Sequence, residues 1–124
     1  AQALSQVGDL AKSATTINGH TFIGSVMTDG VSGDDLRKIA IDLRSQNPDS
    51  VVALLSNNDG KPVLVVAVSD QARAAGVKAG ALVKIGSTVL GGGGGGKDDF
   101  AQGGGTDASK SLDAIAAISQ SLIG

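Results

Sequence analysis

Six consecutive glycines at positions 91–96, the hexapeptide Lys97-Asp98-Asp99-Phe100-Ala101-Gln102 and a second glycine run at 103–105 set the strongest limit on what this chain can fold into. Without Cβ atoms, such a stretch enters φ > 0 conformations freely and lets another backbone or a phosphate come close. It is therefore either a slack linker or a contact surface. A linker joins units that fold separately, yet only 19 residues follow Gly105, too few for a domain. The enclosed Phe100, one of two aromatic residues in the chain, is an apolar anchor for which a slack linker has no use. The segment reads as a contact loop lying between two helical segments.

Residues 91–97 satisfy the opening of a phosphate-binding loop, G-x-x-x-x-G-K. The next residue is Asp98, however, where a Ser or Thr hydroxyl would help hold Mg²⁺, and the loop follows a helical pattern instead of a strand. Triphosphate binding is set aside on those grounds, and the G-x-G-x-x-G that any polyglycine contains is no dinucleotide signature. Lys97 is the first candidate for a phosphate contact. Successive N–H groups form an anion-binding concavity, and the ammonium adds a mobile charge at its edge. Lys78, Lys84 and Arg73 are supporting candidates, each a plain surface residue when taken alone. Asp98 and Asp99 read as caps for backbone donors or as partners for Lys97. His20, the single histidine, has no nucleophile or orienting acid beside it in the sequence, and no catalytic or metal-ligating constellation is readable.

Charge bears on the same question. All 12 acidic residues are aspartates and the formal net charge is −2, whereas a chain that held nucleic acid by bulk electrostatics would be basic. Residues 51–105 carry five basic against four acidic groups, and residues 1–50 carry four against six. Any nucleic-acid face is expected in the second half and is expected to be weak. Cysteine, tryptophan and tyrosine are absent, which excludes disulfides and thiol chemistry and leaves the core to aliphatic side chains. No apolar run approaches the roughly 20 residues that cross a bilayer, so a cytoplasmic chain is the expectation.

Along the chain, Leu4, Val7, Ala11 and Ala14 follow the three- and four-residue steps of a helical seam, and residues 1–17 read as the end of a helical linker or dimerisation segment. With no initiating Met and a helical pattern under way at Ala1, the chain reads as a piece of a longer protein. Residues 18–124 read as one glycine-rich α/β domain. Its elements are a strand over 20–27, a helix capped by Ser32 or Asp34 and burying Leu36, Ile39, Ala40 and Leu43, and two apolar strands over 51–55 and 62–68 joined as an antiparallel hairpin. Arg37, Lys38 and Arg44 project from the helix. Further helices follow over 70–75 and 79–90, the latter burying Leu82, Ile85 and Val89. A closing helix presents Leu112, Ile115, Ala116, Ser119 and Leu122 on one side. The fold class is α/β: a mixed β-sheet of three or more strands with a hairpin, packed with helices, plus an N-terminal helical segment.

The order of residues 91–107, preceded by Gly76-Val77-Lys78-Ala79-Gly80-Ala81-Leu82-Val83-Lys84, resembles the C-terminal domain of alanyl-tRNA synthetases. That domain is similar in turn to the glycine-rich substrate-binding domain of DHH-type phosphoesterases. The resemblance runs from about Asn18 onward, with Asp99 and Gln102 matching the family motif. It departs at Gly93, where the family often has Arg or Lys, and at Asp98, where it often has Pro. It implies a non-catalytic, cofactor-free module that contacts the outer corner of alanine-specific tRNA and couples aminoacylation to editing. The implied RNA-binding residues are Gly94, Gly95, Gly96, Lys97, Gln102, Gly103 and Gly104, supported by Lys84, Lys78 and Arg73. The implied partners are tRNA, the remaining domains of a parent synthetase and a second copy paired through the N-terminal helix, with no membrane. The alternatives are a protein dimerisation module and the substrate-binding half of a DHH-type phosphoesterase.

Overall fold

The structure, a computed structural model, describes residues 15–17, 19–27, 30–47, 49–58 and 60–123. Six strands form one mixed sheet: β1 (Thr15–Ile17), β2 (His20–Val26), β3 (Ser50–Asn58), β4 (Lys61–Val68), β5 (Gly93–Gly96) and β6 (Phe100–Gly104), in the order β1-β2-β3-β4-β6-β5. Among the described residues only β2 and β3 pair in parallel. The parallel step requires a crossover, which α1 (Gly33–Gln46) supplies on one face of the sheet. On the other face lie α2 (Asp70–Ala74), α3 (Ala79–Val89) and α4 (Ser111–Ile123), the last preceded by a 3₁₀ turn at Ala108–Lys110.

The two central strands bury side chains on both faces, as their uninterrupted apolar runs require. Val52, Leu54, Val65 and Ala67 meet Leu36, Ile39, Ala40 and Leu43 of α1. Val51, Ala53, Leu55, Leu64, Val66 and Val68 meet Leu82 and Val83 of α3 and Ala114 and Ile118 of α4. The four α1 residues named from periodicity are therefore its buried stripe. Ser32 is the N-cap, its hydroxyl accepting from Asp35 N at 3.1 Å. Ser32→Ala is expected to cost about 1 kcal/mol in urea unfolding, with Asp34→Ala costing less because its side chain is not the cap.

Some elements differ from the sequence expectation. Thr15–Ile17, assigned to the helical segment, form β1, each residue paired with one of β2. The remainder of that segment, with Leu4, Val7, Ala11 and Ala14, lies outside the described residues. The β3–β4 hairpin turns more tightly than the link over 56–61 suggested, for Asn58 already pairs with Lys61 and Gly60 takes φ +78°. The polar Ser56 and Asn58 remain in the strand because both donate to Val31 O, at 2.5 and 3.0 Å. In α3, Ile85 and Val89 are only half-buried, and Val83 and Gly86 line the core alongside Leu82. In α4 the buried residues are Ser111, Ala114 and Ile118, with Ile115 and Leu122 at the margin, while Leu112 is 74% exposed and Ala116 is exposed. The inward face of that helix is rotated from the stripe read in the sequence and packs against α3 and β2.

Candidate nucleic-acid interface

The glycine-rich segment is neither slack coil nor an open loop. It forms a β-hairpin that completes the sheet, with Gly93 opposite Gly104, Gly94 opposite Gly103, Gly95 opposite Gln102 and Gly96 opposite Ala101. Backbone proximity explains the composition. A Cβ on Gly94 would stand 2.4 Å from Gly103 Cα and 2.8 Å from Val83 Cγ1, and one on Gly103 would stand 2.3 Å from Ser87 Oγ. Helix α3 thus lies almost on the main chain of the hairpin. Gly93 and Gly95 differ: a Cβ on either would meet nothing within 4 Å. The two strands present one closed and one open side, and β5 is an edge with unpaired main-chain groups.

The tip of the hairpin is tied down through carbonyls. Lys97 N donates to Phe100 O, Ala79 N to Asp98 O, Val68 N to Asp99 O and Arg44 Nη1 to Asp99 O, each at 2.9 Å. The sequence suggests that Asp98 and Asp99 use their carboxylates on backbone donors or on Lys97. Their main-chain oxygens make these bonds instead, and among the described residues the acid–base pairs are His20–Asp49 and Arg73–Asp70, neither involving Lys97. The Arg37 guanidinium lies 5.6 Å from the centroid of the Phe100 ring, and Phe100 packs as a half-buried margin of the α1-side core.

Between α1 and the hairpin lies a cavity of about 400 Å³ whose walls include Arg37, Arg44, Gly95, Gly96, Lys97 and Gln102. A neighbouring cavity of about 370 Å³ shares Arg44 and Asp99 with it and adds Asp70 and Arg73. The structure therefore brings Gly95, Gly96, Lys97 and Gln102 together on one surface, with Arg73 beside it. Gly94 and Gly103 are at the hairpin's closed side under α3, and Gly104 abuts Pro62. Lys78 is the N-cap of α3 and Lys84 lies within that helix. Lys78 lines a separate cavity of about 800 Å³ with His20, and Lys84 lines none of the three.

Two residues were missed as site candidates, Arg37 and Arg44. Their spacing of seven places both on one flank of α1, and that signal was present in the sequence, but nothing there showed that the flank faces the hairpin. The first half of the chain thus adds Arg37 and Arg44 to the cavity wall that holds Lys97. His20 also gains the orienting acid that its neighbours in sequence lacked: Nδ1 is 2.6 Å from Asp49 Oδ1, and Thr21 N donates to Asp49 O at 2.8 Å, so this contact secures the start of the parallel pair. Among the described residues no three His, Cys, Asp or Glu side chains gather to hold a metal ion, and no helix is long and apolar enough to cross a membrane.

Comparison with known proteins adds to this geometry. The family model for the DHHA1 domain matches residues 7–124. An alanine–tRNA ligase of Cutibacterium acnes is 42% identical over 123 residues, which is 98% of this chain and 14% of that protein. One of Kocuria rhizophila is 44% identical over 123 residues, with the same coverage. The chain thus spans about one seventh of the length of these relatives. The crystal structure of the C-Ala domain from Aquifex aeolicus alanyl-tRNA synthetase superposes with a TM-score of 0.83 at 30% identity, covering 90% of this chain and 99% of that one. RecJ from Thermus thermophilus, in complex with Mg²⁺, has a TM-score of 0.67 at 14% identity over 98% of this chain and 17% of that one, a likeness of fold alone.

Proposed function

The chain belongs to the DHHA1 domain family, in the form of the C-Ala domains of alanyl-tRNA synthetases, and from that premise we propose that it is an RNA-binding module without chemistry of its own. It contacts the outer corner of alanine-specific tRNA and so raises the effective concentration of one tRNA at the aminoacylation and editing sites of a cytoplasmic parent enzyme. Tethering of this kind works at modest affinity, which suits a chain with formal charge −2.

The observation that carries the reading is the exposed glycine edge strand, paired with β6, beside Lys97. Its main-chain donors and the Lys97 ammonium meet phosphate oxygens, and Gln102 adds an amide on the same surface. Double-helical RNA hides its base edges in a deep groove, so recognition rests on backbone and shape. Gly94, Gly103 and Gly104 serve by keeping the hairpin flat against its neighbours. Arg73 lies close enough to extend the surface. Lys78 and Lys84 do not line the cavities beside Lys97 and Arg73.

Equilibrium binding of the chain to alanine-specific tRNA, at low and physiological salt with duplex DNA as competitor, tests the reading. Saturable binding that resists the DNA is expected. Lys97→Ala is expected to weaken it several-fold and to reduce the slope of log K against log salt by about 1. Binding that duplex DNA abolishes equally in both proteins, or no binding, counts against it. Pairing with a second copy through residues 1–14 is a separate expectation, checked by the oligomeric state of the chain with and without them.

A further inference from the structure

We propose that Arg37 and Arg44 of α1, extended by Arg73 of α2, form a phosphodiester seat that runs from the hairpin tip along the side of the domain. The inference rests on the RNA reading above and specifies which side chains hold the strand. It follows from a surplus of donors in two neighbouring cavities whose walls share Arg44 and Asp99, together called the trough.

Arg37 has its guanidinium over the Phe100 ring, 5.6 Å from the centroid, which orients the group and leaves its in-plane N–H edge open. Arg44 spends one N–H on Asp99 O at 2.9 Å, which anchors the head of a side chain that has five donors. Arg73 pairs with Asp70 through Nη2, and its side chain is 36% exposed, so part of the guanidinium faces the cavity. The edge strand and the Lys97 ammonium add further donors at one end, and the Gln102 amide lies beside them. Against four cations the trough lining offers two carboxylates, Asp70 and Asp99, one of them already taken by Arg73.

An excess of donors and of positive charge, on a chain whose formal net charge is −2, marks a place for an anionic acceptor. The seven-residue spacing of Arg37 and Arg44 corresponds to about 10 Å along α1. Over that length one strand of a duplex presents about three phosphates. A planar fork that is already stacked or already hydrogen-bonded loses less freedom on meeting a phosphate than a free lysine does. The trough therefore suits a continuous strand better than a single small anion.

The test is titration of alanine-specific tRNA over a range of salt concentrations with wild type, Arg37→Gln, Arg44→Gln, the double variant, Arg73→Gln and Lys97→Ala. Lys110→Gln, an exposed lysine outside the trough, is the control. The double variant is expected to lose roughly tenfold in affinity and about 2 from the salt slope, with Arg73→Gln losing about 1 from the slope. Because Arg44 also braces the hairpin, Arg44→Lys is included: it keeps the charge and is expected to retain the slope while losing some affinity, and urea midpoints show whether each variant is folded. Should the double variant be unfolded, Arg37→Gln alone must still lower the slope by about 1, and a wild-type slope there overturns the seat. Folded arginine variants with wild-type binding, alongside a weakened Lys97→Ala, overturn the seat and leave the RNA reading standing. A loss equal in every variant, Lys110→Gln included, also overturns it, and a wild type that does not bind tRNA overturns both.

Discussion

Gly94→Ala lowers the stability of this domain by roughly 1–3 kcal/mol, whereas Gly95→Ala leaves it unchanged or raises it by about 0.5 kcal/mol. The two residues are neighbours in a uniform glycine run, so no sequence-based rule separates them. Their difference comes from the strand period of two. A Cβ on Gly94 points to the closed side, 2.4 Å from Gly103 Cα, 2.8 Å from Gln102 O and 2.8 Å from Val83 Cγ1. Two of those atoms are backbone of β6, so relief requires β5 to part from its partner strand as well as from Val83 of α3. A Cβ on Gly95 meets nothing within 4 Å, and its backbone is not in the left-handed region, so alanine there only narrows the unfolded ensemble. Gly92→Ala should behave like Gly94→Ala, since its Cβ would stand 2.2 Å from Gly104 O, and Gly93→Ala like Gly95→Ala. Urea unfolding of the four variants checks the alternation. Four equal midpoints would mean that the run is loose chain and that the edge beside Lys97 is not held in place.

The second large effect separates two leucines. Leu64→Ala is expected to cost about 2–5 kcal/mol, a large part of the roughly 5–15 kcal/mol by which a domain of this kind is stable. Leu112→Ala is expected to stay within about 0.5 kcal/mol. Leu64 is fully buried on β4 where α3 and α4 cover the sheet, and its removal leaves a cavity that the packed neighbours fill only in part. Leu112 is 74% exposed and has little to lose. Equal losses in denaturant unfolding would show that the face of α4 described above is not its inward face.

How far the sequence was legible varies with the source of the signal. The buried stripe of helix α1 was readable, because Leu36, Ile39, Ala40 and Leu43 repeat at helical spacing, whereas its cap was narrowed only to Ser32 or Asp34. The central strands were readable for the same kind of reason, a run of β-branched residues bounded by turn residues. Helix α4 was readable as a helix but not as a face. Alanine, serine and leucine alternate around it so closely that its periodicity does not choose between Leu112 and Ile118. Strand β5 was unreadable, since four glycines have no periodicity, and its strand state comes entirely from pairing with β6.

Local chemistry, carried by the sequence itself, determined the helices, the central hairpin, the cap and the place of Lys97 beside a glycine run. The tertiary structure decided which distant groups meet: Arg44 with the Asp99 carbonyl across 55 residues, His20 with Asp49 across 29, and Arg37 with Phe100. It also decided that the polyglycine becomes an edge strand. The physical reason is that propensity and periodicity act over a few neighbouring residues, while the trough beside the hairpin exists only after β6 has docked on β4 and brought its tip against the charged flank of α1.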